Sequence, residues 1–216
     1  MHLKFADIIY IVKGIGVTLS YASCSVLFGI VVATILTIFS FSHIKLLKLF
    51  SKLYVSIFRG TPLLVQLSIV YFGIPGLTGY KMPTFLAGVI AFSLNSGAYI
   101  SEVIRAGVNS IDKGQFEAAK TLGIPYHFMM RDIILPQALS NILPALVNEL
   151  IDMLKESSLI SVIGEADLMR RAQIIASQNY IYFSPLITAA ICYYCVIIIL
   201  SFLAKQLEKK LHNDYY

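Results

Sequence analysis

Three carboxylates, Glu149, Asp152 and Glu156, stand at i, i+3 and i+7 inside an otherwise apolar stretch. At about 100° per residue they share one helix face, with Lys155 at its edge and within pairing reach of Asp152. An ionisable group at the centre of a bilayer carries an insertion cost of about 2.5–3.5 kcal/mol, so a charged stripe there reads as functional by default. These carboxylates can meet the ammonium or cationic side chain of an amino acid. Alternatively, Asp152 and Lys155 neutralise each other while Glu149 and Glu156 brace a helix interface. Both readings stay open. Paired carboxylates also suit acid–base or metal chemistry. No H-E-x-x-H pattern or serine-centred constellation accompanies them, and His2, His43, His127 and His212 are dispersed without metal spacing, so neither catalysis nor a metal site is expected. Cys24, Cys192 and Cys195 lie in apolar runs and read as small hydrophobes.

A second polar set comes earlier. Asn95, Tyr99 and Glu102 fall at i, i+4 and i+7 and form a seam on one helix face. Its plain reading is interhelical hydrogen bonding. The sharper one is that Asn95 and Glu102 help to hold the zwitterionic end of a substrate. Glu102 also stands three residues from Arg105, close enough to pair with it at the membrane surface. Ser157 and Ser158 follow the carboxylate stripe and add hydroxyl ligands if the helix is interrupted there, as helices are at transporter sites.

These side chains need elements to position them, and composition says which. The chain has 216 residues, 57% of them hydrophobic and only 13% charged, with a mean hydropathy of +0.77. A soluble domain carries about 25% charged residues, so this chain belongs in a membrane. Uncharged runs of 31, 21, 20 and 33 residues separate Lys13 from Lys45, Arg59 from Lys81, Lys81 from Glu102 and Arg171 from Lys205. A bilayer-spanning helix needs about 20 apolar residues, and unpaired backbone groups are excluded from lipid. The expected architecture is therefore an all-α integral membrane protein with five transmembrane helices. They run over about 15–41, 54–73, 84–105, 137–158 and 184–205 of a single transmembrane domain spanning 1–216. The first is too long for a signal-peptide core and is expected to stay in the mature protein.

Orientation follows from the basic residues. With the N-terminus outside, eleven Lys and Arg fall on inner segments and five on outer ones, which favours N-out, C-in. The net charge of +5 then matches an anionic cytoplasmic leaflet and calls for no nucleic acid. Arg170 and Arg171 fall outside, where they either meet an extracytoplasmic partner or sit in a solvated loop; both readings stay open.

The inner loop, about 108–136, carries the most specific pattern. It reads Glu117-Ala118-Ala119, three residues, Gly123, nine residues, then Ile133-Ile134-Leu135-Pro136. Residues 117–122 favour a helix, small Ala118 and Ala119 permit close approach, Gly123 suits a left-handed helix end, and Pro125 blocks direct continuation. The expected form is a short helix, a sharp turn, and a second short helix through Tyr126–Asp132.

This loop resembles the EAA signature of ABC importer permeases at every defined position. Three further stretches, Phe58–Gln66, Gly97–Gly107 and Lys155–Gly164, are similar to those of the polar amino acid group, the glutamine, histidine and arginine permeases. The resemblance covers about residues 10–205. It implies a MetI-like five-helix permease in the cell inner membrane that pairs with a second permease. A homodimer is expected, and a heterodimer stays open. It also implies a cytoplasmic ABC ATPase, an extracytoplasmic substrate-binding protein, and a polar amino acid, glutamine first, as substrate. Glu117, Ala118, Ala119, Gly123, Ile133, Leu135 and Pro136 would then couple to the ATPase. Asn95, Tyr99, Glu102, Glu149, Asp152, Lys155, Ser157 and Ser158 would line the substrate pathway. The chain has no G-x-x-x-x-G-K-[ST] loop, so no cofactor is expected on it, and ATP with Mg would sit on the partner. The main alternative is a stand-alone ion-coupled amino acid carrier, which needs no docking helix.

Overall fold

The computed structural model describes residues 3–215, with side chains to residue 206, so His2 and the side chain of His212 lie outside the described residues. The described chain is helical: α1 (Phe5–Val12), α2 (Ile15–Phe41), α3 (Lys45–Gly60), α4 (Leu63–Ser68), α5 (Ile74–Thr78), α6 (Thr84–Asn109), α7 (Lys113–Thr121), α8 (Tyr126–Phe128), α9 (Leu135–Glu156), α10 (Leu168–Asn179) and α11 (Phe183–Tyr215). Four helical stretches are long and apolar enough to cross a membrane, and a bent pair makes a fifth.

That bent pair is where the chain departs from a straight span over about 54–73. The helix stops at Gly60 and restarts at Leu63, with an angle of 102° between the two parts. Pro62 has no N–H to donate, and its ring disfavours helical geometry at Thr61. Thr61 accordingly sits in extended backbone, at φ −121° and ψ 144°.

Proline also shapes two wide helical turns, Ile69–Gly73 and Met129–Ile134. Each ends just before a prolyl residue, Pro75 or Pro136, and carries an i→i−5 bond, from Ile74 N to Ile69 O and from Leu135 N to Met130 O. A proline ring clashes with the carbonyl four residues back, and an extra residue in the turn relieves that clash. The second helix of the inner loop therefore does not end at about residue 132. It runs through the wide turn into α9.

Helices α2 and α6 form the central packing pair. Gly97 makes this possible, since a Cβ there would meet Val32 Cγ1 at 2.6 Å. Small residues at such contacts let helices approach where apolar burial gives no driving force. Three apolar clusters follow the bundle. The central one holds Tyr21, Leu67, Phe92, Ile100 and Leu154. One at the α7 end holds Ala119, Met129, Ile134 and Ile142. One at the opposite end joins Ile11, Leu168, Ala172 and Ala189. Helix α10 in that last cluster has no counterpart in the charge-gap reading, because it is short and amphipathic. Beyond Glu156 the chain tightens into a 3₁₀ turn, Ser157–Ile163, and turns at Gly164.

Candidate coupling helix and intramembrane polar cluster

Helix α7 begins at Asp112, whose carboxylate accepts from Gly114 N at 2.6 Å, the role an N-cap side chain performs. It ends in a Schellman turn. Ile124 N bonds Ala119 O and Gly123 N bonds Lys120 O, both at 3.0 Å, with Gly123 at φ +69°. Ala119 packs with Phe116 and Ile124 against α6, the wide turn Met129–Ile134 and α9, which anchors the short helix to the bundle. Glu117, Ala118, Lys120 and Thr121 face outward. Leu122 and Tyr126 flank the turn at 77% and 67% exposed. An apolar leucine held that far into solvent on a capped, anchored helix is a presented surface rather than a filler of this chain's own core. Of the remaining motif residues, Leu135 is exposed, Ile133 and Pro136 are half-buried, and Ile134, which the motif leaves undefined, is fully buried. Leu122 and Tyr126 were not singled out by sequence. Their only sequence signal is an apolar side chain beside a glycine turn.

The break in the bent helix organises the first polar set. Pro62 leaves the Phe58 carbonyl without its helical donor. Gln66 Nε2 donates to that oxygen at 2.9 Å, and Asn95 Nδ2 donates to it at 3.1 Å. Asn95 also donates to Gln66 Oε1 at 3.0 Å. Asn95 and Gln66 are both buried. The amide of Asn95 is thus engaged with the broken helix. Tyr99, which shares its face, is partly exposed beneath Arg59, whose guanidinium carbon lies 5.1 Å from the ring centroid. Glu102 accepts from Arg105 Nε at 3.0 Å and lies 3.7 Å from Arg59. Arg59, Tyr99, Glu102 and Arg105 therefore form one cluster. Gln66 and Arg59 had no assigned role in the sequence reading, because the partner that reveals each of them lies on α6.

The second set divides. Ser96 donates its hydroxyl to Glu149 Oε1 at 2.9 Å, a contact between α6 and α9. One turn on, Lys155 Nζ meets Asp152 Oδ1 at 2.6 Å, with both side chains more than half exposed. Glu156 is exposed beside them. Ser157 is buried and donates to Leu154 O at 2.7 Å, while Ser158 is half-buried. The helix is not broken at these serines but narrows there. The Asn95 group and the Glu149 group lie at the same level of α6 on different faces, since Asn95 and Ser96 are adjacent and face different partners.

At the opposite end from α7, Asp167 is fully buried. It caps α10 by accepting from Arg170 N at 2.8 Å and Met169 N at 3.2 Å, and Tyr193 donates to it at 3.3 Å. Burial pushes its carboxyl above the usual range, and the backbone donors pull the other way. Arg171 bonds Ala166 O and Tyr10 O and lies over the Tyr10 ring. It is a tie within this chain, whereas Arg170 is partly exposed.

A multi-helix membrane bundle with a broken helix, polar side chains inside it and an anchored helix presented at one end defines the membrane domain of a transporter. Residues 16–213 match the family described as the inner membrane component of binding-protein-dependent transport systems, and the chain belongs to that family. The chain is 55% identical over 210 residues to a putative glutamine transport system permease protein, GlnP, of Rickettsia bellii, covering 97% of this chain and 96% of the relative. It is 46% identical over 218 residues to the arginine transport system permease protein ArtQ of Bacillus subtilis, covering 99% and 100%. In structure it is similar to a chain of an amino acid ABC transporter crystallised with histidines, with a TM-score of 0.91 and 42% identity over 97% of this chain and 100% of that one. The methionine transporter MetNI shares the fold, with a TM-score of 0.79, 20% identity and coverage of 97% and 99%.

The chain is thus a multi-pass inner-membrane permease subunit with the MetI-like fold. It is a transport component and not an enzyme, and ATP hydrolysis resides on a separate subunit. Its family works with an ATPase and a substrate-binding protein.

Proposed function

We propose that the chain carries a polar amino acid, glutamine first, through a pathway formed with a second copy of itself. The named substrates of the relatives at 55% and 46% identity support this class. The observation that carries the coupling half of the reading is α7. Its exposed Glu117 and Ala118, with Leu122 at the Schellman turn, suit insertion into a groove of the ATPase, where Glu117 meets a basic residue. Ile133, Leu135 and Pro136 then transmit the movement, since the chain continues from the α8 segment into α9 without a loop. In this reading the N-terminus is outside and the C-terminus inside. ATP and Mg remain on the partner.

Glu149, with Asp152 and Glu156 beyond it, faces away from lipid in this reading. An exposed carboxylate stripe in an apolar helix is compatible with water or a second subunit, and costly against hydrocarbon. Glu149, held by Ser96, receives the ammonium of the substrate, and Ser158 and Lys155 lie within the same pathway. Asn95, with Gln66, holds the broken helix that borders the pathway. Tyr99 and Glu102, with Arg59, form its inner polar step. Closure of the ATPases moves α7, and substrate binding biases one access state over the other.

The test is reconstitution in liposomes with ATPase and binding protein. ATP-dependent uptake of labelled glutamine is expected, with arginine as the comparison. Uptake driven by an ion gradient without any ATPase would establish the stand-alone carrier instead.

A further inference from the structure

We propose that the pocket between α3 and the last turns of α6 binds the phosphate headgroup of an anionic phospholipid. The pocket encloses about 440 Å³, and its lining includes Lys48, Lys52, Arg105, Ser40, Ser56 and Glu102. Glu102 is its one acid, and Arg105 and Arg59 already pair with it. Among the described residues, no carboxylate lies within ion-pair distance of Lys48 or Lys52. The pocket therefore presents two free ammonium groups beside serine hydroxyls, a donor set that suits a phosphate.

The helix that supplies the lysines argues for a lipid rather than a soluble anion. Lys48 and Lys52 sit at i and i+4 on one face of α3. Leu46, Leu49, Phe50, Leu53 and Ile57 cover the adjoining face, each between 52% and 73% exposed. A basic face in its first half beside an apolar one suits a helix whose start lies at the membrane surface and whose second half enters the bundle. The 102° bend at Thr61–Pro62 turns α3 away from the line of its continuation. Ser51 donating to Leu36 O and Tyr54 donating to Leu94 O, both at 2.9 Å, fasten it to α2 and α6. Arg105 lies four residues before the end of α6, about 6 Å along the axis, so the pocket opens near the end of a spanning helix. A two-chain lipid can place its phosphate at the lysines and its chains along the leucines. A free phosphate makes no use of the apolar flank. The pocket shares Glu102 with the inner polar step of the proposed pathway, but the inference rests on Lys48 and Lys52, which have no part in that pathway, and requires only membrane insertion.

The experiment uses the purified permease complex in neutral detergent. It is titrated with phosphatidylglycerol or phosphatidylcholine, and bound lipid is counted by native mass spectrometry. Phosphatidylglycerol is expected to be retained in preference. The Lys48→Gln/Lys52→Gln double variant is expected to weaken that retention roughly thirtyfold, at about fivefold per lysine. The Lys48→Arg/Lys52→Arg variant and Lys81→Gln, on a loop at the other end, are expected to keep it. Lys52→Gln alone, expected to cost about fivefold, serves if the double variant does not assemble. Equal retention by wild type and the glutamine variants, or equal retention of the two lipids, overturns the proposal. Displacement by millimolar glycerol phosphate also overturns it, since it identifies a site for soluble anions.

Discussion

The side-chain amide of Asn95 donates to the carbonyl of Phe58 at 3.1 Å, the oxygen that Pro62 leaves without a helical donor. Two helices, 37 residues apart at this contact, are joined through a break in one of them. In hydrocarbon an orphan carbonyl costs several kcal/mol, so Asn95 and Gln66 make the break tolerable.

Asn95→Ala is therefore expected to lower the stability of the purified permease by about 1–3 kcal/mol, because Phe58 O and Gln66 Oε1 each lose a donor inside the bundle. That corresponds to a drop of about 2–10 °C in thermal unfolding. An unchanged midpoint would show that water or another donor already serves these oxygens.

Gly123 takes φ +69°, and no neighbour lies within 4 Å of where a Cβ would stand. Its requirement is thus conformational, not steric. Gly123→Val is expected to cost about 1–2 kcal/mol at the turn and to release the ATPase on purification. Gly123→Asn, tolerant of the left-handed region, is expected to retain it. Equal loss with both variants would point instead to contact with the glycine surface itself.

Glu149→Gln keeps an acceptor for Ser96 but removes the charge. Uptake is expected to fall about tenfold or more, the scale of one charge-assisted contact, while membrane insertion persists. Ser96→Ala, which only loosens the carboxylate, is expected to have a smaller effect. Undiminished uptake by Glu149→Gln would make the stripe a structural brace.

Asp167 offers a pH test outside the membrane-spanning segments. Its folded carboxyl titrates above the usual range because of burial. The folded state therefore binds the proton more tightly than the unfolded chain does. The associated stability is complete below the ordinary carboxylate range and is lost as pH rises through the raised value. Measured against Asp167→Asn, which cannot titrate, wild type should gain in melting temperature as pH falls from neutral toward 4. A difference that stays flat, or that reverses, would show that the capping hydrogen bonds outweigh burial.

Much of this was legible along the chain, and the reasons are local. The charge-free runs mark α2, α6 and the start of α11 to within a few residues because lipid selects on composition alone, while α11 itself runs on past the apolar stretch to Tyr215. The Glu117–Gly123 pattern contains its own helix, end and turn, and the structure forms them as read. The wide turn before Pro136 was not anticipated, although its cause, a proline ring against the carbonyl four residues back, was already in the sequence. Helix α10 was missed because a short amphipathic segment has no charge gap, and its cap at Asp167 reads as one more loop acid.

By itself the sequence determined that the chain crosses a membrane and presents a capped, glycine-ended helix at one face, since hydropathy, helix propensity and the φ tolerance of glycine act residue by residue. Only the tertiary structure decided that Asn95 serves a broken helix, that Arg59 reaches Tyr99 and Glu102, that Ser96 engages Glu149 and that Asp152 pairs with Lys155. The first three depend on the register between helices. At the α6–α9 approach a small residue, Gly107 against Ile142 and Ala138, helps to set that register, and no periodicity within a single helix encodes which turn of a neighbour it will meet. The fourth is a choice among rotamers that spacing permits but does not select.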